Sequence, residues 1–393
     1  LSFDQLETLS DAPRRTQERR CESTERNAIA GGWQNFLNEP DTDWTLPHHA
    51  DWAAAIIASW ESRVVDIPLV IAGQEIRHDG DDALSRRVQD CVDPSRPGAV
   101  VGVYRQANGG DIEATVTCAS RDDDGWRALT PTERGSILRR VAVEIRKARG
   151  DLMGAALANC GKTLAESDPE VSEAVDFVEF YAETARWLME DVSPHLQARG
   201  KGVAVVVSPW NFPIAIPCGG VAAALAAGNT VILKPASDAV MPAWELCQCF
   251  WRGGVSRKTL QFVPCSGSRE GSELVQNPCV NSVILTGGTE TALTMLDANP
   301  SLPLIAETGG KNATIVTELS DRDLAIKNVL HSAFSNAGQK CSATSLLLLE
   351  GEVYDGDDFK RMLVEAAESL TVGSAWNLTT KIGPVIKPPQ GDL

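Results

Sequence analysis

Three residues of this chain have types and settings suited to covalent chemistry on a carbonyl. Cys341 lies in Ser335-Asn-Ala-Gly-Gln-Lys-Cys-Ser-Ala343, where small neighbours leave a thiol open to a small electrophile. Glu307 begins Glu307-Thr-Gly-Gly-Lys-Asn312, directly after the apolar run Leu302 to Ala306. Asn211 lies in Ser208-Pro-Trp-Asn-Phe-Pro213, directly after the apolar run Val203 to Val207. A thiolate can add to an aldehyde carbon, a side-chain amide can stabilise the resulting oxyanion, and a carboxylate can activate water to hydrolyse a thioester. Taken singly, each residue has a plainer reading. Most unpaired cysteines are small buried hydrophobes, an asparagine between prolines is usually a turn residue, and a glutamate past a strand can simply cap a turn. It is the combination that points to aldehyde oxidation.

The elements around them set their positions. A helix-like run from Leu324 to Ala337 precedes the thiol, and Gly338 ends it. From Val203 the chain alternates between strand and helix. Val203–Val207, Thr230–Lys234, Leu260–Val263 and Ser282–Thr286 read as strands. Ala215–Ala227, Met241–Gly253, Glu270–Gln276 and Glu290–Ala298 read as the helices between and after them. Continuous apolar strands in repeated βα units predict a parallel sheet covered on both faces. After Glu307, Ala313–Thr317 begins a second sheet, with Asp321–Ala337 as its helix and Leu346–Leu349 as a further buried strand.

Upstream, Ile67–Ala72 and Ala99–Tyr104 read as strands, and Asp111–Ser120 has helical character. Thr130–Arg149 is a helix capped by Thr130, and Asp151–Asn159 continues helical until Gly161. Asp168–Glu190 reads as a long amphipathic helix with Pro169 in its first turn. Val171, Val175, Val178 and Leu188 form its apolar stripe, and His195 in the next loop has the setting of a surface residue. Asn38–Pro47 is rich in proline and aspartate and reads as a linker.

Together, the motifs around Asn211, Glu307 and Cys341 resemble the signatures of the aldehyde dehydrogenase superfamily in order and spacing. The resemblance covers roughly residues 66 to 393. The chain is most similar to the L-glutamate γ-semialdehyde (1-pyrroline-5-carboxylate) dehydrogenases, in particular to that domain of bifunctional proline utilization A. Cys341-Ser-Ala343, Asn38-Glu-Pro-Asp-Thr-Asp43 and Gly161-Lys-Thr163 with Ala174-Val-Asp-Phe177 carry this narrower match.

The resemblance implies an aldehyde dehydrogenase-like α/β fold. Its doubly wound parallel sheet binds the nucleotide, and a second α/β domain, incomplete at the C-terminus, carries catalysis. The expected division is 1–65 as a linker or remnant of an upstream domain, 66–306 as the NAD-binding domain and 307–393 as the catalytic domain. It implies Cys341 as nucleophile, Asn211 and the Cys341 backbone N–H as oxyanion donors, and Glu307 as the base. It places the cofactor on Ser208, Pro209, Trp210, Lys234, Ser237, Gly267, Thr286, Gly287, Gly288, Thr308 and Gly309.

Ser237 stands where NAD-preferring relatives often have glutamate, so NADP is the alternative to NAD. No Gly-x-Gly-x-x-Gly fingerprint occurs. For the substrate, Ser342 would bond the α-carboxylate, Phe212 would pack the aliphatic chain and Glu166 would meet the amino group. The alternatives are another semialdehyde dehydrogenase, such as one acting on succinate semialdehyde, and an inactive nucleotide-binding remnant. By the same resemblance the full-length form is a homo-oligomer, and a proline dehydrogenase domain stands upstream in the bifunctional members. The residues before Asn38 are too few for such a flavin-binding barrel, so no flavin site is expected. The chain ends soon after Gly383-Pro384, before the family's later nicotinamide-ribose motif and substrate-carboxylate loop, so a C-terminally truncated form is expected.

Composition narrows the partners. A net charge of −17 argues against nonspecific binding to nucleic acid or anionic membranes. Arg14, Arg15, Arg19 and Arg20 are interleaved with Glu18 and Glu22, as on a solvated face. No apolar run reaches the ~18 residues expected of a membrane-spanning helix. The ten cysteines and five histidines are scattered without metal-ligand spacing. That pattern predicts no metal site and reduced thiols in a cytoplasmic setting; the small-molecule aldehyde partner is what the resemblance implies.

Overall fold

The computed structural model describes residues 33–77, 86–192 and 198–389. The readings for His195 and for the cluster Arg14 to Glu22 lie outside the described residues. Helix α1 (Pro47–Trp60) precedes strands β1 (Val65–Ile67), β2 (Leu69–Ile71), β3 (Gln74–Ile76), β4 (Val88–Val92) and β5 (Val100–Arg105). Helices α2 (Gly109–Arg121), α3 (Pro131–Lys147), α4 (Arg149–Cys160) and α5 (Leu164–Arg186) follow. The alternating part runs β6 (Val203–Val207), α6 (Ala215–Ala226), β7 (Thr230–Lys234), α7 (Val240–Arg252) and β8 (Leu260–Phe262). It continues through α8 (Glu270–Gln276), β9 (Val280–Gly287), α9 (Thr289–Ala298) and β10 (Leu304–Thr308). The last part comprises β11 (Asn312–Val316), α10 (Arg322–Phe334), β12 (Thr344–Leu349), α11 (Gly351–Asp355) and α12 (Asp357–Glu368).

The main sheet has the order β10-β9-β6-β7-β8-β2-β3. Strands β10, β9, β6, β7 and β8 are parallel, and β2 runs antiparallel to both β8 and β3. Alternate residues of β6 enter different cores. Ala204 and Val206 pack with the α3–α4–α5–α7 side, whereas Val203 and Val205 pack with the opposite face. That two-sided burial explains the unbroken valine run. The chain adds β7 and β8 on one side of β6, and β9 and β10 on the other. Loops leaving β6 and β9 therefore diverge and open a crevice beyond their carboxyl ends.

Four details differ from the sequence reading, one being Leu346–Leu349, expected as a buried strand, where Leu346 and Leu348 are exposed. Strand β10 runs through the boundary expected between 306 and 307, because Glu307 pairs in register with Thr286 of β9. Helix α5 starts at Leu164, where Thr163 and Glu166 form a capping box, so Pro169 lies inside it; Leu188 falls past its end and is exposed. Part of the 1–65 stretch expected to be a linker or remnant is packed. Trp60 is buried in the main core, and a Cβ on Gly154 would stand 2.3 Å from its ring. Nearby, Thr42 donates to the Asp168 carboxylate through both N–H and hydroxyl at 2.6 Å.

Strands β11 and β12 form a separate two-stranded parallel sheet. Its helix α10 buries Ile326, Val329 and Leu330 against Val316, Val353 and Phe359. Among the described residues, no helix is long and apolar enough to cross a membrane.

Candidate active site

Strand β6 delivers the first functional stretch. The Ser208 N–H donates to the Lys234 carbonyl at 3.2 Å, holding the ends of β6 and β7 together. Ser208 and Pro209 are buried, while Trp210, Asn211 and Phe212 are half-buried at the crevice. The loop is gripped from the α4–α5 corner. The Lys162 ammonium, fully buried, pairs with the Glu170 carboxylate and donates to the Asn211 carbonyl at 2.8 Å. Glu170 in turn accepts from the N–H groups of Ile214 and Ala215 at 3.1 and 3.4 Å, at the start of α6. A buried lysine is tolerated only because its charge is paired and its donors are used. The same ammonium lies 4.7 Å from the centre of the Phe212 ring.

Helix α10 ends at Phe334, earlier than the sequence reading to Ala337. Asn336, Ala337 and Gly338 then take left-handed backbone, with φ of 54°, 54° and 74°. Glycine adopts this conformation freely, whereas asparagine and alanine do so at a cost. The Asn336 N–H donates to Glu166 Oε1 at 2.5 Å, and Gln339 closes back on the Asn336 carbonyl through its N–H at 3.0 Å and Nε2 at 2.8 Å. Beyond this turn, Cys341 and Ser342 are exposed. The Asn312 side chain donates to the carbonyls of Cys341 and Ala343 at 2.6 and 3.2 Å, fixing the thiol's turn to the start of β11.

Two contacts join the Asn211 and Cys341 loops. Asn211 Nδ2 donates to the Gln339 carbonyl at 2.8 Å, and Asn336 Nδ2 donates to the Asn211 carbonyl at 3.3 Å. A carboxamide has two N–H donors, so one is left over from the bond to Gln339. Among the described residues, the Cys341 backbone N–H has no hydrogen-bond partner. Exposed thiol, spare amide donor and spare backbone donor are the parts needed for nucleophilic addition with oxyanion stabilisation.

Glu307 is exposed near the carboxyl end of β10. Among the described residues, no hydrogen bond joins it to Cys341 or Asn211. Its charge reaches the Tyr181 hydroxyl on α5, whose pKa is raised first by burial and then by Cys218, Glu307 and Glu173. Glu166, expected to meet a substrate amino group, is committed elsewhere. Oε2 accepts from the Thr163 N–H and hydroxyl, both at 3.1 Å, and Oε1 from Asn336. Three of the carboxylate's roughly four acceptor sites are thus taken by the helix cap and the loop.

The residues expected at the nucleotide occupy the crevice side of the sheet. Lys234 ends β7 and is buried, with Ser237 exposed just beyond. Thr286 and Gly287 end β9 beside Glu307 and Thr308 of β10, followed by Gly288 and Gly309. Gly267 follows β8, in open space. Sequence reasoning gave Lys162, Glu170 and Asn336 no role. Lys162 belongs to the Gly161-Lys-Thr163 match, which was the available signal; the other two make their contacts only across the fold.

Residues 81–392 match the model of the aldehyde dehydrogenase family. The bifunctional protein PutA of Klebsiella aerogenes is 39% identical over 308 residues, covering 76% of this chain and 23% of PutA. The chain thus spans less than a quarter of the PutA relatives it matches. The 1-pyrroline-5-carboxylate dehydrogenase of Geobacillus kaustophilus is 31% identical over 371 residues, covering 90% of this chain and 70% of that one. Among solved structures, proline utilization A from Bdellovibrio bacteriovorus has a TM-score of 0.83 at 29% identity, covering 90% of this chain and 38% of that chain. The 1-pyrroline-5-carboxylate dehydrogenase from Thermus with bound NAD has a TM-score of 0.81 at 30% identity, covering 90% of this chain and 70% of that chain. The chain belongs to the aldehyde dehydrogenase family.

Proposed function

We propose that this chain carries the site of an NAD-dependent oxidation of L-glutamate γ-semialdehyde, the open form of 1-pyrroline-5-carboxylate, to glutamate. The observation that carries the reading is the bond from Asn211 Nδ2 to the Gln339 carbonyl, which brings the Asn211 amide to the Cys341 loop. The named relatives support the choice of substrate.

The Cys341 thiolate adds to the aldehyde carbon, and the oxygen takes up the negative charge between Asn211 Nδ2 and the Cys341 N–H. When bound, the nicotinamide supplies the acceptor for hydride leaving the thiohemiacetal carbon, so that a thioester to Cys341 results. Glu307 takes a proton from water, the hydroxide adds to the thioester carbon, and the Cys341 thiolate leaves as the carboxylate product forms. Phe212 packs the substrate's methylene chain, and Ser342 donates to its α-carboxylate.

The crevice residues suit a dinucleotide. A Cβ on Gly267 or Gly309 would meet nothing within 4 Å, leaving room for a ligand to approach the backbone there. Lys234 and Ser237 would hold the adenosine ribose. Thr286, Gly287 and Gly288 would face the pyrophosphate, and Ser208, Pro209, Trp210, Thr308 and Gly309 would line the remaining path. Ser237 offers no carboxylate to repel a 2′-phosphate, so NADP is the cofactor to compare. The reading extends to a homo-oligomer and to a proline dehydrogenase domain upstream in the whole protein.

The test is NADH formation with glutamate semialdehyde, compared with succinate semialdehyde and with NADP in place of NAD. The proposal expects turnover highest with glutamate semialdehyde and NAD, and none in Cys341→Ala, which still binds NAD. Undiminished turnover in that variant would overturn it.

A further inference from the structure

We infer that Glu166 is a positioning residue for the thiol: its carboxylate holds the left-handed turn that aims Cys341 at the oxyanion donors. The inference rests on the reading of Cys341 as nucleophile. Glu166 sits in the first turn of α5 as its third residue, closing the capping box begun by Thr163. Its Oε2 is anchored there by the Thr163 N–H and hydroxyl, so the side chain's place is set by the helix. Its Oε1 then accepts from the Asn336 N–H at 2.5 Å, across the crevice wall. That bond falls on the first of the three consecutive positive-φ residues, Asn336, Ala337 and Gly338. Two of them carry a Cβ, and for such residues left-handed backbone is disfavoured unless the surroundings impose it.

The consequence reaches the chemistry through a short chain of bonds. The turn fixes Asn336, Asn336 fixes Gln339 through its carbonyl, and the Gln339 carbonyl is the acceptor for Asn211 Nδ2. Releasing Asn336 would let the thiol's loop relax toward ordinary backbone and lose register with Asn211. The thiol itself would remain exposed. Glu166 therefore acts on where the oxyanion forms, without touching it.

The test compares two reactions of Cys341 in the whole chain, neither needing nicotinamide or an amino group. With p-nitrophenyl acetate, the thiolate adds to the ester carbonyl through an oxyanion; p-nitrophenolate leaves and an acetyl thioester forms. With iodoacetamide, the thiolate displaces iodide and forms no oxyanion. Cys279, the other exposed cysteine among the described residues, is the internal reference for alkylation.

Glu166→Ala should slow the p-nitrophenolate burst about tenfold, while alkylation of Cys341 changes less than about threefold and Cys279 not at all. Glu166→Gln keeps an acceptor for Asn336 and should stay within about threefold of the parent in the burst. Adding Ala337→Gly to Glu166→Ala should restore most of the burst, because glycine needs no tether to stay left-handed. If Glu166→Ala does not fold, Glu166→Asp takes its place, since it keeps the charge but shortens the reach. A parental burst rate in Glu166→Ala or Glu166→Asp would overturn the inference, as would equal losses in burst and alkylation, or no recovery with Ala337→Gly. Absence of any burst from Cys341 in the parent protein would instead overturn the nucleophile reading on which it rests.

Discussion

Asn211 donates its side-chain amide to the Gln339 carbonyl at 2.8 Å while its own carbonyl accepts from the buried Lys162 ammonium at 2.8 Å. One residue thus links the end of β6, the α4–α5 corner and the loop of Cys341. Asn211→Ala should lower kcat by about 10²–10³-fold, the usual cost of removing an oxyanion donor. KM for the aldehyde should change little. Steady-state kinetics beside a thermal unfolding curve would separate this loss from loss of fold.

The ion pair behind Asn211 is buried on both sides, with side-chain exposures of 2% and 2% for Lys162 and Glu170. Removing one member leaves the other charge without a partner, which typically costs about 3–5 kcal/mol. Lys162→Met should therefore lower the unfolding temperature markedly. A variant as stable as the parent would show that the pair is not confined as described.

Much of this site was legible before the fold. Val203–Val207 and Thr230–Lys234 announced central parallel strands because both of their faces are buried, and Thr130 caps its helix as expected, the structure adding a capping box with Glu133. The errors have physical causes. Pro169 drew the start of α5 downstream, because proline is commonest in a first turn, whereas the capping box begins at Thr163. The end of α10 was placed too late, since Asn336 and Ala337 leave helical backbone in concert with a carboxylate 170 residues away, which no local pattern reveals. Residues 1–65 read as a linker or remnant because Asn38–Pro47 is rich in proline and aspartate, yet α1 just beyond it buries Ala53, Ile56 and Trp60.

That anchor predicts a measurable penalty. Alanine normally improves a helix over glycine, but a Cβ on Gly154 of α4 would stand 2.3 Å from the ring of Trp60, which is 1% exposed. Gly154→Ala should destabilise the protein by about 1–3 kcal/mol, as overpacking does. Denaturant unfolding followed by tryptophan fluorescence would read it.

Lys340, next to Cys341, has its pKa lowered from 10.5 by burial and by the Lys162 charge, against the opposing pull of Glu166 and Glu170. Because the folded state holds that proton less tightly, the unfolded chain binds more protons between the lowered value and 10.5, and stability rises with pH across that window. Below the window the full cost of confining the charge is present. Lys340→Met should therefore stabilise the protein at neutral pH, by less than about 1 kcal/mol because solvent screens a half-exposed group. The gain should vanish as pH climbs past 10.5, as paired unfolding curves would show.

The central claim is that Cys341 carries the substrate as a thioester and that Glu307 releases it. Glu307→Gln, mixed with NAD and glutamate semialdehyde and then digested for mass spectrometry, tests both at once. The account predicts a burst of NADH followed by arrest, with the glutamyl mass added to the peptide containing Cys341. Continued turnover at the parental rate with no adduct on Cys341 would contradict it.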